Sequence, residues 1–415
     1  MRILVVSQMF WPEDFRINDL AVELVRRGHE VTVLTGLPNY PEGRIFTEFR
    51  CDPRGFDELH GVRIVRVPIV SRGQSRLRLL LNYLSFVVSG TLIGAWRLRG
   101  RRFDAILVHE SSPVTVGLPA AALRSLKKAP LAFWVLDLWP DTLEALGVVR
   151  GKTLLGVVGR LVAFIYRRCD LIMAQSRSFI PKIAKYCTDL ERIVYFPSWA
   201  EPIFGVEEVE PAAEVPEKAG SFDVMFAGNI GEAQDFPSIL SAAERLKGNS
   251  RIRWLIVGDG RMAGWVRQEI RRRGLQESVL MLGRYPVERM PSFYMHANVL
   301  LVALKDEPIF AMTIPGKLQS YLAAGIPVVA MLNGEGADVV ERAACGIGCR
   351  AGDPVGLAAA VQRLASLPGE QLVEMGRNAA AISAREFDRD ALISRLELWL
   401  TRLSAGERGR MVTCG

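Results

Sequence analysis

Short apolar runs alternate with longer segments of helical periodicity along the whole chain. The runs have the length and bulk of buried strands, and the segments between them place apolar residues on one face, as in 17–27, which Gly28 closes as a C-cap. Strands and helices that alternate in this way form doubly wound parallel sheets. The predicted strands are residues 2–7, 30–36, 62–67, 105–110, 131–137 and 171–176 in the first half, and 223–229, 253–260, 279–284, 299–304 and 327–332 in the second.

The two sets of strands predict two domains. The stretch 201–220 between them has six Glu, three Pro and no apolar periodicity, which is typical of a linker or an exposed loop. We therefore predict an α/β chain of two Rossmann-like, doubly wound domains that face a cleft. The N-terminal domain would span 1–200, the C-terminal domain 221–387, and a last helix at 388–403 would rejoin the N-terminal domain. At 415 residues the chain is long enough for two full-sized cores.

Cysteine and histidine usage argues against a structural zinc site. The six cysteines are scattered without a CxxC pair, and the chain has only four histidines. The sequence DRD at 388–390 opens the last predicted helix, where Asp is a good N-cap, so we expect no metal there. The start, MRILVVSQMF, is a strand pattern rather than a signal peptide, and we expect a protein of the reducing cytoplasm.

Charge is concentrated in the first half. Residues 1–200 carry a net charge of +10 and residues 201–415 a net charge of −3, which predicts that the first domain meets an anionic surface or polyanion. Between Arg63 and Arg102 there are nine arginines and no acid. These arginines flank an apolar stretch rather than alternate with aromatic residues, which argues against a nucleic-acid-binding protein.

The stretch 79–96 inside this basic segment has 18 residues without a charge. As a helix it would be about 27 Å long, the lower limit for crossing a bilayer, and Asn82 and Ser85 make it a poor lipid-facing span. Two interpretations remain open. It is either a buried connecting helix or a monotopic helix within a membrane-associating segment at 63–102, with its arginines on anionic head groups.

Lys317 lies in the first turn of the helix predicted from Pro315, where the helix dipole disfavours a cation. An anion that binds from outside explains this position, and the loops after the other strands of the second half are rich in glycine, which lets backbone amides approach a ligand. The sequence therefore predicts a nucleotide diphosphate site at these strand ends. Its candidate residues are Gly228, Asn229, Gly231, Gln234, Gly258, Asp259, Gly260, Arg261, Arg284, Tyr285, Glu307, Pro315, Gly316 and Lys317.

Four motifs carry a resemblance to a known family. They are FWPEDFRINDLAVELVRRGHEVTVLTGLPNYPEG (10–43), DLWPD (137–141), FAGNIGEAQDF (226–236) and PGKLQSYLAAGIPVV (315–329). In this order they resemble the family 4 glycosyltransferases of the GT-B type, and the resemblance covers essentially the whole chain. Within that family they resemble the branch that includes N-acetyl-L-fucosamine transferases of bacterial surface polysaccharides. The resemblance implies a donor-binding C-terminal domain, an acceptor-binding N-terminal domain, retention of anomeric configuration and no metal or other cofactor.

The resemblance also implies roles for single residues. Ser320 stands where the family often has a ribose-binding Glu, so Gln319, Ser320 or Glu307 would do a related job. Lys317 would stabilise the leaving diphosphate, and Asp137 or Glu110 would orient the acceptor. The candidate acceptor-binding residues are Glu13, Arg16, Asn39, His109 and Ser111, although His109 is as readily explained as a buried structural histidine.

The function that follows is transfer of a sugar from a UDP-sugar to a lipid-linked saccharide, for which an N-acetylated deoxyhexosamine is the candidate sugar. A polyprenyl-diphosphate acceptor would explain the basic, apolar segment, and the enzyme would work on the inner face of the cell membrane in surface polysaccharide (lipopolysaccharide, O-antigen) synthesis, with no nucleic-acid partner. A UDP-sugar epimerase of similar two-domain architecture is the alternative. The segment 63–102 argues against it, because an epimerase needs no lipid.

Overall fold

The computed structural model describes residues 1–73, 75–145, 151–204 and 209–407. They divide into two compact units: the first is residues 1–196 together with the chain from Asp390 onward, and the second is residues 197–389. Each unit is built on one predominantly parallel sheet flanked by helices, so the predicted α/β fold class is confirmed. The boundary follows Phe196, four residues before the one predicted from the sequence.

Within the described residues, the first unit contains an eight-stranded sheet. Its strands β1 to β8 are Arg2–Val6, Glu30–Thr35, Glu58–Leu59, Val62–Arg66, Ala105–Glu110, Leu131–Val135, Leu171–Ala174 and Ile193–Tyr195. Their order across the sheet is β3-β4-β2-β1-β5-β6-β7-β8, and among the described pairs only β3 and β4 are antiparallel. The central strands are buried on both faces, which is why they read as continuous apolar runs. The two short strands β3 and β8 lie at the edges and were not predicted.

Helices connect these strands. They are α1 Arg16–Arg26, α2 Thr47–Cys51, α3 Arg76–Arg97, α4 Gly117–Lys127, α5 Asp141–Ala145, α6 Lys152–Tyr166 and α7 Ile180–Ala184. The connection from β1 through α1 to β2 runs one way across the sheet. Those through α3, α4 and α6 run the other way, so by the right-handed crossover rule they cover the opposite face.

The second unit, as described, has a six-stranded parallel sheet. Its strands β9 to β14 are Phe222–Ala227, Ile252–Val257, Val279–Gly283, Val299–Ala303, Val328–Met331 and Gly346–Cys349. Their order is β11-β10-β9-β12-β13-β14. The edge strand β14 was not predicted, because two of its four residues are glycine. The helices α8 to α15 are Phe236–Arg245, Ala263–Arg272, Met290–Tyr294, Pro308–Ala311, Gly316–Ala323, Glu335–Arg342, Pro354–Ser366 and Gly369–Glu386.

The last helix, α16 (Arg389–Ser404), belongs to the first unit. Arg27 donates to Glu397 across 2.7 Å and forms an ion pair with Asp390 at 3.2 Å, which fastens α16 to the end of α1. The ring of Trp399 packs edge-on against Phe196. Asp390 is thus part of an ion pair, and among the described residues no cluster of three or more His, Cys, Asp or Glu is arranged to hold a metal ion.

The segment expected as a linker packs on the second unit where the structure describes it. Ala212 and Val215 are buried in that unit's core, and the Ala212 amide donates to the Ser292 carbonyl across 3.0 Å. Glu214 forms an ion pair with Arg289 at 2.9 Å. Most of the other described residues of 201–220 are exposed, as expected for a loop that enters the second sheet, but Ala212 and Val215 anchor it to the core. Two apolar residues three positions apart are too few to reveal such a buried turn by periodicity.

Helix α3 has one face on the sheet and one face in solvent. Asn82 accepts from Gln8 across 2.7 Å and donates to the Val70 carbonyl across 2.6 Å, while Phe86 is fully buried. Of the described helices, α3 is long and apolar enough to cross a membrane by length and composition, yet only 28% of its apolar window is buried. The interpretation as a buried connecting helix is therefore wrong. We call its exposed apolar side chains the α3 stripe: Leu77, Leu80, Leu81, Leu84, Val88, Leu92 and Trp96.

Candidate functional site

A pocket of about 410 Å³ opens in the second unit beyond the ends of β9 and β10. Carboxyl ends of neighbouring parallel strands are where ligands of this fold class bind. Besides Val257 and Met290, every residue of its lining was a candidate from the sequence. Those candidates are Gly228, Asn229, Gly258, Asp259, Gly260, Arg284 and Tyr285.

Two glycine turns meet at the floor of this pocket. Gly258 has φ +141°, and a Cβ on it would lie 1.9 Å from the Gly228 carbonyl oxygen. Gly260 has φ +158°, and its Cβ would lie 2.4 Å from the Ile230 carbonyl oxygen. Only glycine fits this conformation and this spacing, so the two turns bring backbone close to whatever occupies the pocket.

Lys317 reaches underneath these turns from the first turn of α12. Its Nζ is buried, has no hydrogen-bond partner among the described residues, and lies 3.6 Å from the centroid of the Phe226 ring. Burial lowers the pKa of Lys317 to about 7. The ring face offers a weak cation–π attraction, which does not replace a counter-charge. Among the described residues the structure thus places a buried amino group next to the pocket without a counter-charge.

Gln319 and Ser320 are not part of the pocket lining. Gln319 donates from Nε2 to the Ser198 carbonyl across 2.9 Å, and Ser320 donates to Glu201 across 3.1 Å. Both side chains are buried against the segment that enters the second unit. These contacts indicate a structural role for both side chains, and their role as ribose ligands stays a prediction. The buried Oε1 of Gln319 has no hydrogen-bond partner within the described residues.

Other candidates of the second unit shape or border the turns. Gln234 accepts from the Gly231 amide across 3.0 Å and so holds its own turn closed. Arg261, Glu307 and Gly316 are exposed, and Glu307 precedes α11 at its N-cap position. Pro315 holds the corresponding position before α12. The structure does not bring these five residues into the pocket wall itself.

In the first unit, candidates meet at the carboxyl ends of β5 and β6. His109 lies 3.4 Å through Nδ1 from the Ser7 hydroxyl, whose proton is donated to the Met9 carbonyl across 2.6 Å. This arrangement favours the tautomer with the proton on Nδ1, which leaves Nε2 as the acceptor nitrogen. Burial lowers the pKa of His109 to about 3, so the ring is neutral, with Trp134 packed edge-on against it.

Glu110 and Asp137 are a neighbouring carboxyl pair. Glu110 is fully buried, accepts from the Asp137 amide across 3.2 Å through Oε2, and has no partner at Oε1 among the described residues. Burial, and then the negative charge of Asp137, raise the pKa of Glu110 well above its usual value. Asp137 itself accepts from the Thr142 hydroxyl and from Trp139 Nε1. Burial and the neighbouring charge thus favour the protonated form of Glu110, while Asp137 is the half-exposed member of the pair.

Glu13 and Asn39 hold loops together. Glu13 is buried and accepts from the backbone amides of Phe10, Asn39 and Tyr40 at 2.7–3.2 Å, and burial raises its pKa. Asn39 accepts from the Arg72 amide and donates to the Leu37 carbonyl. These bonds to backbone give both side chains a structural role, and their acceptor-binding role stays a prediction. Arg16 and Ser111 are half-buried, at the start of α1 and directly after β5.

Sequence reasoning missed Tyr83, which lies on the sheet side of α3. Its hydroxyl hydrogen-bonds Ser112, and the charges of Arg72 and Asp137 act on it, while burial raises its pKa. The Arg72 guanidinium also lies 5.4 Å from the centroid of the Tyr40 ring. A tyrosine inside an apolar helical run carries no sequence signal, since only the fold brings it to the strand ends.

Two Rossmann-like units, one of them with a buried lysine under glycine turns at its strand ends, define a protein of the GT-B class. Two family models match the chain: "Glycosyl transferase 4-like domain" over residues 15–199 and "Glycosyl transferases group 1" over residues 221–366. The chain therefore belongs to the family 4 glycosyltransferases and is a glycosyltransferase. The resemblance inferred from the four sequence motifs is confirmed.

Two relatives with provisional names are similar to the chain over most of its length. WbjE of Pseudomonas aeruginosa, named a glycosyltransferase, is 26% identical over 65% of this chain and 68% of its own. WcaI of Escherichia coli, named a colanic acid biosynthesis glycosyl transferase, is 27% identical over 78% of this chain and 82% of its own. The crystal structure of HepE of Anabaena in complex with UDP matches with a TM-score of 0.68 at 16% identity, over 97% of this chain and all of HepE. At that identity the match shows a shared fold.

Proposed function

We propose that this protein transfers a sugar from a UDP-sugar to a saccharide carried on a polyprenyl diphosphate, during synthesis of a bacterial surface polysaccharide. The transfer would proceed with retention of anomeric configuration and without a metal ion or other cofactor. An N-acetylated deoxyhexosamine is the first donor sugar to test. The second unit would take the donor and the first unit the acceptor.

The observation that carries this proposal is the buried, unpartnered ammonium of Lys317 beside a pocket floored by glycine turns. A diphosphate supplies the missing counter-charge, since charge-assisted hydrogen bonds to phosphate are strong in a site shielded from water. Backbone amides at the start of α12 add a favourable dipole. HepE, similar in fold, was crystallised with UDP, which supports a uridine nucleotide as the first candidate.

Three side chains have the chemical properties that sugar transfer requires. As the bond between the anomeric carbon and the diphosphate oxygen breaks, negative charge develops on that oxygen, and Lys317 would stabilise it. The acceptor hydroxyl would attack from the same face and give its proton to the departing phosphate oxygen, which yields UDP and the new glycoside. Asp137, a half-exposed carboxylate, and Nε2 of His109, a neutral acceptor, would orient that hydroxyl.

The lipid-linked acceptor and the inner membrane surface are supported by the α3 stripe. A row of exposed apolar side chains this long is unusual on a surface that meets only water. At the two ends of this helix Arg78, Arg99 and Arg102 are exposed, as expected for a helix that lies on anionic lipid. The name of WcaI, which refers to colanic acid biosynthesis, supports a surface polysaccharide as the product class.

The test is a transfer assay with a panel of UDP-sugars and a short polyprenyl-diphosphate-linked saccharide. Retention requires that the new glycosidic bond keeps the anomeric configuration of the donor by NMR, and metal independence requires unchanged rates in EDTA. Conversion of one UDP-sugar into another in the absence of acceptor would identify an epimerase and overturn the proposal.

A further inference from the structure

We propose that α6 is a second membrane-contacting helix, so that the first unit binds anionic lipid through two helices, α3 and α6, on one face of its sheet. The inference rests on the proposed function, because it assumes an acceptor held in a membrane. It adds a surface on a separate helix, outside the basic segment 63–102.

Helix α6 exposes an apolar row of its own. Leu154 and Val157 are each 53% exposed and Phe164 is 36% exposed, with the half-buried Leu161 between them. Positions 154, 157, 161 and 164 have the spacing of one helical face. The neighbouring face supplies Val162, Ile165 and Tyr166 to the core, so α6 packs on the rest of the unit through other residues than the exposed row.

Cations border this row. Lys152, Arg160 and Arg167 are exposed, and residues 152–168 contain no acid. The guanidinium carbon of Arg168 lies 3.5 Å from the centroid of the Phe164 ring, which holds a positive charge against the apolar row. An apolar face bordered by Lys and Arg is the pattern of helices that lie in the interface of an anionic bilayer.

The topology puts α6 on the same side of the sheet as α3. The connections β4–α3–β5, β5–α4–β6 and β6–α6–β7 all step in one direction across the sheet, so right-handed crossovers place the three helices on one face. Helix α4 contacts both α3 and α6. The exposed side of each outer helix therefore points away from the same sheet face, where a single surface can meet both.

The positive charges beside both apolar rows favour an anionic bilayer as the partner of this surface. Both helices combine exposed aliphatic or aromatic side chains with flanking cations, and residues 1–200 carry a net charge of +10. A bilayer rich in phosphatidylglycerol offers an apolar interior beneath a negative surface and so complements both parts. A protein partner would need two apolar patches, each surrounded by acidic residues, to match both helices. It therefore fits this surface less directly than a bilayer does.

The experiment is co-sedimentation of the full chain with phosphatidylglycerol and phosphatidylcholine vesicles. One variant carries Leu154→Ser, Val157→Ser and Phe164→Ser on α6, and a second carries Leu84→Ser, Val88→Ser and Leu92→Ser on α3. The matched control carries Met295→Ser, Val355→Ser and Val373→Ser, all exposed apolar residues of the second unit. We expect each helix variant to lose about tenfold or more in partitioning to phosphatidylglycerol vesicles, as partial insertion of three side chains predicts, and the control to bind as wild type.

Wild-type partitioning by the α6 variant, with loss in the α3 variant, would overturn the role of α6 and leave the proposed function standing. If the wild type ignores vesicles but self-associates, and the α6 variant is monomeric, the row is an interface between copies and this inference is again wrong. Failure of sugar transfer in a detergent-solubilised acceptor assay would instead count against the proposed function. Unchanged melting temperatures show that the variants fold.

Discussion

Gly228 leaves the space that Lys317 fills: a Cβ on Gly228 would lie 2.5 Å from Lys317 Cε and 3.0 Å from its Nζ. The lysine side chain thus lies directly under the first glycine turn, and its charge faces the backbone that would bind a diphosphate. The two residues are 89 positions apart in sequence, and a larger residue at 228 would displace the end of the Lys317 side chain from its place under the turn. The predictions on donor binding follow from this pair.

Replacing Lys317 by Ala should weaken UDP binding much more than uridine binding, because only UDP carries the diphosphate. A charge-assisted contact contributes about 1.5–3 kcal/mol, so UDP affinity should fall by about one to two decades in isothermal titration calorimetry. Lys247→Ala, which removes an exposed lysine after the far end of α8 in the same unit, is the control. Equal weakening of UDP and uridine would mean that Lys317 holds the loop rather than the phosphates.

Gly228→Ala should damage the site through Lys317. The new methyl group collides with the lysine side chain and must also adopt φ +133°, for which we expect a loss of about 1–3 kcal/mol in unfolding free energy and poor UDP binding. In the double variant with Lys317→Ala the collision disappears, so the two stability losses should not add. Gly248→Ala, where the Cβ meets nothing within 4 Å, is the control. Strict additivity in chemical denaturation would contradict the contact.

UDP affinity should depend on pH through Lys317. Burial lowers the pKa of the free lysine to about 7, and a bound diphosphate favours the charged form, so binding takes up a proton above that pH. Above about pH 7, where the terminal phosphate is already ionised, affinity should fall by up to about tenfold per pH unit. Calorimetry in buffers of different ionisation enthalpy measures the proton uptake directly. Lys317→Met should abolish both the uptake and the slope.

Sequence patterns were sufficient for the fold because its strands are apolar on both faces. The apolar runs at 105–110 and 299–304 became central strands with shifts of at most one residue. Patterns failed at β8 and β14, which are edge strands of three or four residues and lack a long apolar run. A short edge strand forms because it pairs with a neighbouring strand, and the sequence of the edge strand alone does not show that pairing.

The same distinction separates the site residues. Lys317 was predictable because a lysine in the first turn of a helix contradicts a local rule, and the glycines were predictable from their place after strands. Gln319 and Ser320 bond to the segment at 198–201, more than a hundred positions away, and Glu13 bonds to amides of a loop after the next strand. Such partners are set by tertiary structure, so the residue type alone did not reveal their structural role.

Three arginines after α3 test the electrostatic part of membrane binding. Changing Arg99, Arg101 and Arg102 to Gln should reduce binding to phosphatidylglycerol vesicles by about two decades, at about 1 kcal/mol for each charge near the surface. Arg97 is left in place because it donates to the Arg66 carbonyl across 2.6 Å and its loss would disturb the fold. Binding should also weaken with salt. Arg245→Gln, Arg267→Gln and Arg271→Gln in the second unit form the control, and equal losses in both triple variants would refute a specific surface.

The Glu110→Gln variant tests whether Glu110 is protonated in the folded protein. Because burial and Asp137 raise the pKa of Glu110, the folded protein binds its proton well above pH 4.5, where the unfolded chain releases it. This residue therefore stabilises the fold most at low pH, and the stability is lost as pH rises towards the raised pKa. The amide resembles the protonated acid in shape, so the Gln variant should lack that downward slope in a plot of melting temperature against pH.

Turnover should separate the two carboxyl groups as well. At neutral pH, Glu110→Gln should leave kcat/KM within a few fold of wild type, because a neutral side chain replaces a neutral side chain. Asp137→Asn replaces a half-exposed carboxylate and should lower kcat by about 10²-fold or more if that group orients the acceptor. Donor affinity, measured with UDP, should stay unchanged in both. If Glu110→Gln is as inactive as Asp137→Asn, Glu110 must ionise during the reaction, and its assignment as the neutral member of the pair is wrong.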